Sequence, residues 1–318
     1  MATTRIISMH VNQGKTIADC LTDRIDYSKN PEKTQGGELI SAYECDPKTA
    51  DAEFLFSKRQ YKTLTGREQQ SDVIAYQVRQ SFKPGEITPE DANRVGYVTS
   101  DDGGALHIGA LTTMSDILAD PIADKIPVLK EALRHLAGLT IRNVATIGGN
   151  TMNASPAADS IPALIALGAL AVFTGKAGQR TVALEKVFTG PGKTDIQRGE
   201  ILTELIIPKP AGKGKFEKLG RRKAETLSIV NGAAQADMTG THCNSIRIAV
   251  GAVAATPLRL EKIEKMLEGK DVTESLIDQA AEAAVNEISP IDDIRGSAEY
   301  RKKVTRVVVK RVVAGACL

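Results

Sequence analysis

With 318 residues, 42% hydrophobic and 25% charged, the chain is long enough for roughly two or three soluble domains, each with an ample core. A net charge of +2 points neither toward nor away from nucleic acid, and 4% aromatic content without tryptophan argues against a base-stacking platform. No apolar run approaches the ~18–20 residues that span a bilayer, so no membrane association is expected.

The N-terminus MATTRIISMH has no basic region leading into an apolar core, so no signal peptide is expected and the cytoplasm is the default location. TRIISMHV suits a strand. KTIADCLTDRIDY places Ile17, Cys20, Leu21, Arg24 and Ile25 at helical spacing. A turn-rich NPEKTQGG separates it from the strand-like ELISAYEC. DAEFLFSKRQYKTL reads as a helix and SDVIAYQVRQSF as a strand. Thr88-Pro89-Glu90-Asp91 is a helix start, with Thr as cap, Pro at the first position and an acid completing the box. That helix is cut short before Tyr97, and VTSDDGG ends it.

Beyond Asp101, GALHIGALTT reads as a strand and tight turn, and MSDILADPIADKIPVLKEALRHLAG as one or two helices. After TIRNVATIGGN comes an apolar helix, IPALIALGALAVF, then strands around QRTVAL and EILTELIIP. From about residue 214, FEKLGRRK, LSIVNGAAQADM and SIRIAVGAVAATPLRL form an antiparallel meander. Helices then follow. EKIEKMLEGK ends on Gly269; TESLIDQAAEAAVNEI carries Leu276, Ile277, Ala280, Ala281, Ala284 and Val285 on one face; SAEYRKKVTRVVVKRVVAGA has an apolar stripe flanked by Lys and Arg. PKPAGKGK, residues 208–215, is the expected domain linker.

Four cysteines (Cys20, Cys45, Cys243, Cys317) form no CxxC pair, which excludes an iron–sulfur cluster on this chain and argues against a disulfide framework. No two of His10, His107, His135 and His242 stand at ligand spacing, so no histidine-rich metal site is expected. The chemistry therefore concentrates in VATIGGNTMNASPAADS, residues 144–160. Gly148 and Gly149 remove the side chains that would keep a ligand off the backbone, and exposed N–H groups in such a turn form an anion-binding concavity. A helix beginning downstream, with Ser155-Pro156 as its cap, would add a positive end. Asn150 could bridge turn and ligand, and Asp159 could accept hydrogen bonds from ribose hydroxyls. Taken alone, the same residues also read as an ordinary turn between apolar segments.

IRNVATIGGNTMNASPAADS, with GALHIGALTT before it and FTGPGKT after it, resembles the flavoprotein (medium) subunit of molybdenum hydroxylases of the xanthine dehydrogenase and carbon monoxide dehydrogenase type. KLGRRKAETLSIVN, AVGAVAATPLRL and DIRGSAEYRKKVTRVVVKR extend the resemblance, which covers about residues 98–318. It implies an α/β and α+β multidomain chain: a PCMH-type FAD-binding subdomain at 98–210 and a C-terminal antiparallel sheet with helices at 214–318. It implies FAD as cofactor and electron transfer as the task. The implied partners are a [2Fe-2S] small subunit and a molybdenum-cofactor large subunit, with NAD or another species as acceptor. Carried onto this sequence, Thr146, Ile147, Gly148, Gly149 and Asn150 form a phosphate-side loop, and Leu136 packs near the flavin nucleotide. Asp159 holds the adenosine side, while Leu202 and Lys218 approach the isoalloxazine. Leu136 and Leu202 read equally well as core, and Lys218, beside Arg221 and Arg222, as a solvated basic strand edge. The flavin does the redox work, so no acid–base residue is named.

This family also begins with a glycine-rich loop that supplies the first half of the pyrophosphate cradle. Gln35-Gly36-Gly37 is the only upstream candidate, and its flanks do not match. Residues 1–97 instead resemble the start of a plasmid or transposon mobilisation relaxase, through HVNQGKTIADCLTDRIDYSKNPEKTQGGELISAYECD and DVIAYQVRQSFKPGEITPEDANRVGY. That resemblance sets Tyr27 at the position of a nucleophile for a DNA phosphodiester, but a tyrosine needs activation, and the histidine cluster of relaxases is missing. Tyr27 therefore reads better as a half-buried structural residue. Lys29, Lys33, Arg59, Lys62 and Arg67 are interspersed with acids and read as a solvated face, so nucleic acid is not an expected partner. The expectation is a truncated relaxase-like α/β segment joined near Val98 to a flavoprotein that lacks its first FAD subdomain.

Overall fold

The structure, a computed structural model, describes residues 3–9, 75–81, 96–176, 178–222 and 225–318. It divides into two compact units, Met1–Asn93 and Arg94–Leu318. In the first, β1 (Thr3–Met9) pairs antiparallel with β2 (Ala75–Ser81), Thr3 opposite Ser81 and Met9 opposite Ala75. Both coincide with strands read from the sequence. The helices expected over 15–27 and 51–64, the strand over 38–45, the Thr88 cap, Tyr27 and the Gln35-Gly36-Gly37 turn lie outside the described residues.

The second unit contains a five-stranded antiparallel sheet. Its strands are β3 (Val98–Ser100), β4 (Leu106–Gly109), β5 (Leu170–Gly175), β6 (Gly178–Ala183) and, after the small hairpin of β7 (Phe188–Gly190) and β8 (Lys193–Thr194), β9 (Ile201–Ile207). Their order is β3-β4-β9-β5-β6, so β9 enters between β4 and β5. VTSDDGG, expected only to end a helix, instead opens with β3, because Val98 pairs with Ile108 and buries against the core. Between β4 and β5 run α1 (Met114–Ala119), a 3-10 turn (Pro121–Lys125), α2 (Pro127–Arg134), α3 (Leu139–Arg142), α4 (Ile147–Met152) and α5 (Ser160–Ala166). Local chemistry sets their starts: Thr113 and Asp116 form a capping box for α1, Asp120 caps the 3-10 turn, and Pro127 opens α2.

IPALIALGALAVF does not form one helix. It is helical only to Ala166; Gly168, at φ 70°, turns the chain, and Leu170–Gly175 becomes β5. Every residue of α5 is buried, so no polar face marks where the helical period stops. A left-handed residue just past a helix is the usual place for glycine, which has no Cβ to clash.

The meander forms as expected: β10 (Lys213–Gly220), β11 (Ser228–Thr239), β12 (His242–Gly251) and β13 (Leu258–Arg259) are neighbours in that order. They are followed by α6 (Glu261–Leu267), α7 (Glu274–Ala284) and the 20-residue α8 (Ala298–Cys317). Thr273 and Ser297 cap α7 and α8 through their side chains. Alternation along β11 explains why it is buried on both faces. Phe216, Ala233 and Ala249 form one cross-strand row and join the core that contains α2, α5 and the five-stranded sheet. One residue on, Ala234 and Ile248 face the core lined by Val309, Val312 and Val313 of α8. Residues from both expected stretches, 98–210 and 214–318, thus contribute to this core. Among the described residues no helix is long and apolar enough to cross a membrane, and no group of His, Cys, Asp and Glu could hold a metal ion.

Across β4 and β9, His107 Nδ1 lies 2.6 Å from Glu204 Oε1, and its Nε2 lies 3.4 Å from Asp101 Oδ2. Burial disfavours the charged imidazole, but the hydrogen bonds and charges of Glu204 and Asp101 outweigh it and raise the His107 pKa. Burial first, then the Glu204 charge, pushes the Tyr97 phenol up to about 12. A raised folded-state pKa stabilises fully below the unfolded value of about 6.5 and is lost as pH rises through the folded value. The urea midpoint should therefore fall from pH 6 to pH 8.5 more steeply in the native chain than in His107→Gln. Equal slopes in the two would refute this.

Candidate functional site

The glycine turn is not an open loop but the first turn of a short helix. Thr146 is the N-cap of α4, and its Oγ1 accepts from Gly149 N at 3.1 Å. Backbone bonds tie the turn to the end of β4: Ile147 N donates to Thr112 O at 3.0 Å, and Gly148 N to Ala110 O at 2.9 Å. Asn150 N donates to Thr146 O at 3.0 Å. The exposed N–H concavity expected here is therefore absent, because the helix start and the segment just after β4 engage the amides of Ile147, Gly148, Gly149 and Asn150. What faces outward is different. Gly149 is exposed, and the Thr146 hydroxyl keeps a proton to donate. Asn150 Oδ1 accepts from Ser160 Oγ at 2.6 Å, which fixes the amide so that its nitrogen has no partner among the described residues.

Gly148 has a separate role. A Cβ there would stand 2.6 Å from both Cβ and O of Ala110, so the residue is the contact that lets α4 press onto β4. A Cβ on Gly149 would meet only Thr146 Oγ1, at 2.9 Å. Ile147 is buried behind them.

Asp159 sits at the N-cap position of α5 but makes no cap hydrogen bond, and Ser155-Pro156, expected as that cap, instead forms a turn in which Ala157 N donates to Ser155 Oγ at 3.3 Å. The Asp159 carboxylate is engaged inward. Its Oδ2 accepts from Lys218 Nζ at 2.6 Å, and its Oδ1 from Ser228 Oγ at 2.5 Å and Asn231 Nδ2 at 2.9 Å. Lys218 Nζ also donates to His135 O at 2.9 Å. The side chains of Lys218 and Asp159 are only 6% and 8% exposed, so Lys218 is not a solvated strand edge but half of a buried ion pair. Leu136 follows His135 and is buried.

Asp159, Lys218 and the Leu136 segment are thus held together by hydrogen bonds, and Ser160 links them to Asn150. Leu202 lies on β9 opposite Phe173, in the core of the five-stranded sheet. Its neighbour Thr203 accepts from Ala110 N at 2.9 Å, which sets β9 against the strand end that receives Gly148. Sequence reading gave no role to Ser228 and Asn231, both fully buried on β11. The available signal was a pair of polar residues inside the apolar run of LSIVN, since buried polar groups require partners.

Comparison with known proteins places the chain in a family. A family model for the FAD binding domain in molybdopterin dehydrogenase matches residues 60–210, and one for the CO dehydrogenase flavoprotein C-terminal domain matches 215–316. The first begins inside the stretch that resembles a relaxase, and these likenesses give the relaxase reading no support. The glyceraldehyde dehydrogenase medium chain of Sulfolobus acidocaldarius is 33% identical over 220 residues, covering 69% of this chain and 78% of its own. The carbon monoxide dehydrogenase medium chain of Afipia carboxidovorans is 37% identical over 238 residues, covering 72% and 82%. Reconstituted CO dehydrogenase from Oligotropha carboxidovorans superposes with a TM-score of 0.67 at 33% identity, over 70% of this chain and 78% of that one. Two family models that together span residues 60–316, and relatives at 33–37% identity over more than two thirds of the chain, lead to one conclusion: this chain belongs to the FAD-binding medium subunits of the molybdenum hydroxylases and is an oxidoreductase subunit.

Proposed function

We propose that the chain holds FAD with its phosphates along Thr146–Asn150 and passes electrons from a [2Fe-2S] small subunit to NAD or another acceptor, in a complex whose large subunit carries the molybdenum cofactor. The residues present fit one wall of a dinucleotide site. Gly149 leaves space that a side chain would fill, and the Thr146 hydroxyl and Asn150 amide flank it as donors suited to phosphate oxygens. Bound flavin supplies the redox chemistry; the protein supplies position and electrostatics. Ser160 orients the Asn150 amide. Asp159 and the His135 carbonyl hold the Lys218 ammonium as a fixed, buried positive charge beside Leu136. Leu136 and Leu202 act as apolar walls that exclude water, and the carboxylate of Asp159 acts on the adenosine side by holding the turn that carries it.

The observation that carries this reading is the exposed Gly149 between two side-chain donors. It is tested by adding FAD to the purified chain, desalting, and recording the visible spectrum. Retained flavin bands are expected; flavin lost completely on desalting would overturn the reading. Asn150→Ala, which removes a donor to a charged phosphate worth ~1.5–3 kcal/mol, should weaken FAD binding about tenfold or more.

A further inference from the structure

DIRGSAEYRKKVTRVVVKR, at the start of α8, lies on the far side of the C-terminal sheet from α5, yet one of its side chains reaches back toward the turn before α5. Arg301 is only 3% exposed. Its Nη1 donates to Ala252 O at 2.6 Å, and its Nη2 to Asp293 Oδ1 at 2.7 Å. Ala252, the residue after β12, has φ 65°, a left-handed conformation that an L residue with a Cβ holds only when its surroundings enforce it. Its own N–H donates to Pro156 O at 2.6 Å. A second link runs in parallel on the same sheet: Asn231 Nδ2 reaches Ala158 O at 3.3 Å and Asp159 Oδ1 at 2.9 Å. The turn from Pro156 to Asp159 is therefore held at two points from the C-terminal sheet, and the outer point is a strained residue.

The guanidinium explains why that strain persists. Ala252 is buried, so without Arg301 its carbonyl would be left unpaired away from water, the condition under which a backbone group is costly. With its carbonyl unpaired, Ala252 loses one of the two bonds that hold its strained backbone, the other being its N–H to Pro156 O. Asp293 fixes the guanidinium from the other side and also pairs with Arg295 Nη2 at 2.8 Å, so the fork has a set orientation.

We infer that Arg301 is a positioning residue for FAD: acting through Ala252, it holds the Pro156–Asp159 turn in the conformation in which Asp159 meets Lys218 and Ser160 meets Asn150. This rests on the reading that Thr146–Ser160 is the cofactor wall. Arg301 itself touches no cofactor. A merely structural role, anchoring the start of α8, would lower stability without selecting that turn.

The experiment uses the full chain as Arg301→Met, Arg301→Lys and the control Ser297→Ala, which loosens the α8 cap without touching Ala252. Amide exchange in the FAD-free protein and FAD affinity by flavin fluorescence titration are both read. Arg301→Met should speed exchange at Ala252 and Ala158 at least about tenfold relative to Val309 in α8, and weaken FAD about tenfold; Arg301→Lys should restore part of both. Ser297→Ala should lower the melting temperature and leave FAD affinity unchanged. If Arg301→Met lowers melting while exchange at Ala252 and FAD affinity stay native, the proposal is overturned. Should Arg301→Met fail to fold, Arg301→Lys with native exchange and affinity overturns it equally. A wild-type chain that retains no FAD sinks the cofactor reading, and with it the positioning role toward FAD. The exchange data would then show separately whether Arg301 still holds the turn.

Discussion

Gly148→Ala and Gly149→Ala should fail in opposite ways, although the residues are adjacent and both lie in the first turn of a helix. At Gly148 the new methyl would sit 2.6 Å from Ala110 Cβ and O, and the oxygen is backbone in a strand end that cannot move independently of β9. Overpacking of this kind costs roughly 1–3 kcal/mol, and the backbone contact places Gly148→Ala at the upper end. The variant should melt several degrees lower, and its residual folded fraction should have lost the α4–β4 bond. At Gly149 the methyl stands 2.9 Å from the Thr146 hydroxyl and displaces it, weakening the cap, while alanine gains about 0.5–1 kcal/mol over glycine in a helix and offsets part of that loss. Its stability should therefore stay within about 1 kcal/mol of native, while FAD retention after desalting drops, because the methyl occupies the exposed face. Thermal melts and flavin spectra on both variants check the pair. Equal loss of stability, or undiminished FAD in Gly149→Ala, would show that the turn is scaffold rather than cofactor wall.

The second large effect concerns the buried pair. Asp159→Asn leaves the Lys218 ammonium without its counter-charge, and Lys218→Met leaves the Asp159 carboxylate with only the neutral donors Ser228 and Asn231. Removing one partner of a buried ion pair costs about 3–5 kcal/mol, most of it the penalty for the charge left behind. Each single variant should therefore be severely destabilised by urea titration. The double variant Asp159→Asn/Lys218→Met should recover much of that loss, since no unpaired charge remains, and the coupling should stand well outside additivity. Additive losses would mean that the two charges do not depend on one another. Because Lys218 comes from the C-terminal sheet and Asp159 from the turn before α5, the same variants should also weaken FAD more than their stability alone predicts.

How much of this was legible beforehand depends on how local the deciding interaction is. Thr113 with Asp116, Thr273 and Ser297 are caps that act within one turn, and the helices they start lie where the sequence places them. The meander was legible because β10, β11 and β12 follow one another through short connections, so alternation and turn residues suffice. The split of IPALIALGALAVF was not. Buried on all sides, that run has no polar period, and the choice between helix and strand came from β9 and β6 pairing with Leu170–Gly175. β3 is a strand only because β4 offers it an edge.

The site divides along the same line. Sequence alone singled out a glycine pair, followed by Asn150 and preceded by Thr146, among flavoprotein motifs, without deciding between an ordinary turn and a phosphate-facing one. Only the tertiary structure decided what the turn presents. The turn after β4 takes up the Ile147 and Gly148 amides through Thr112 O and Ala110 O, so no backbone nest is left open. It also decided that Asp159 and Lys218, 59 residues apart, bury one another's charge, and that Arg301 binds the carbonyl of Ala252, whose N–H meets Pro156 O in that turn. Caps and periodicity are encoded within a turn of chain. Burial of a polar group is defined by what folds over it, and that comes from segments far away in the sequence.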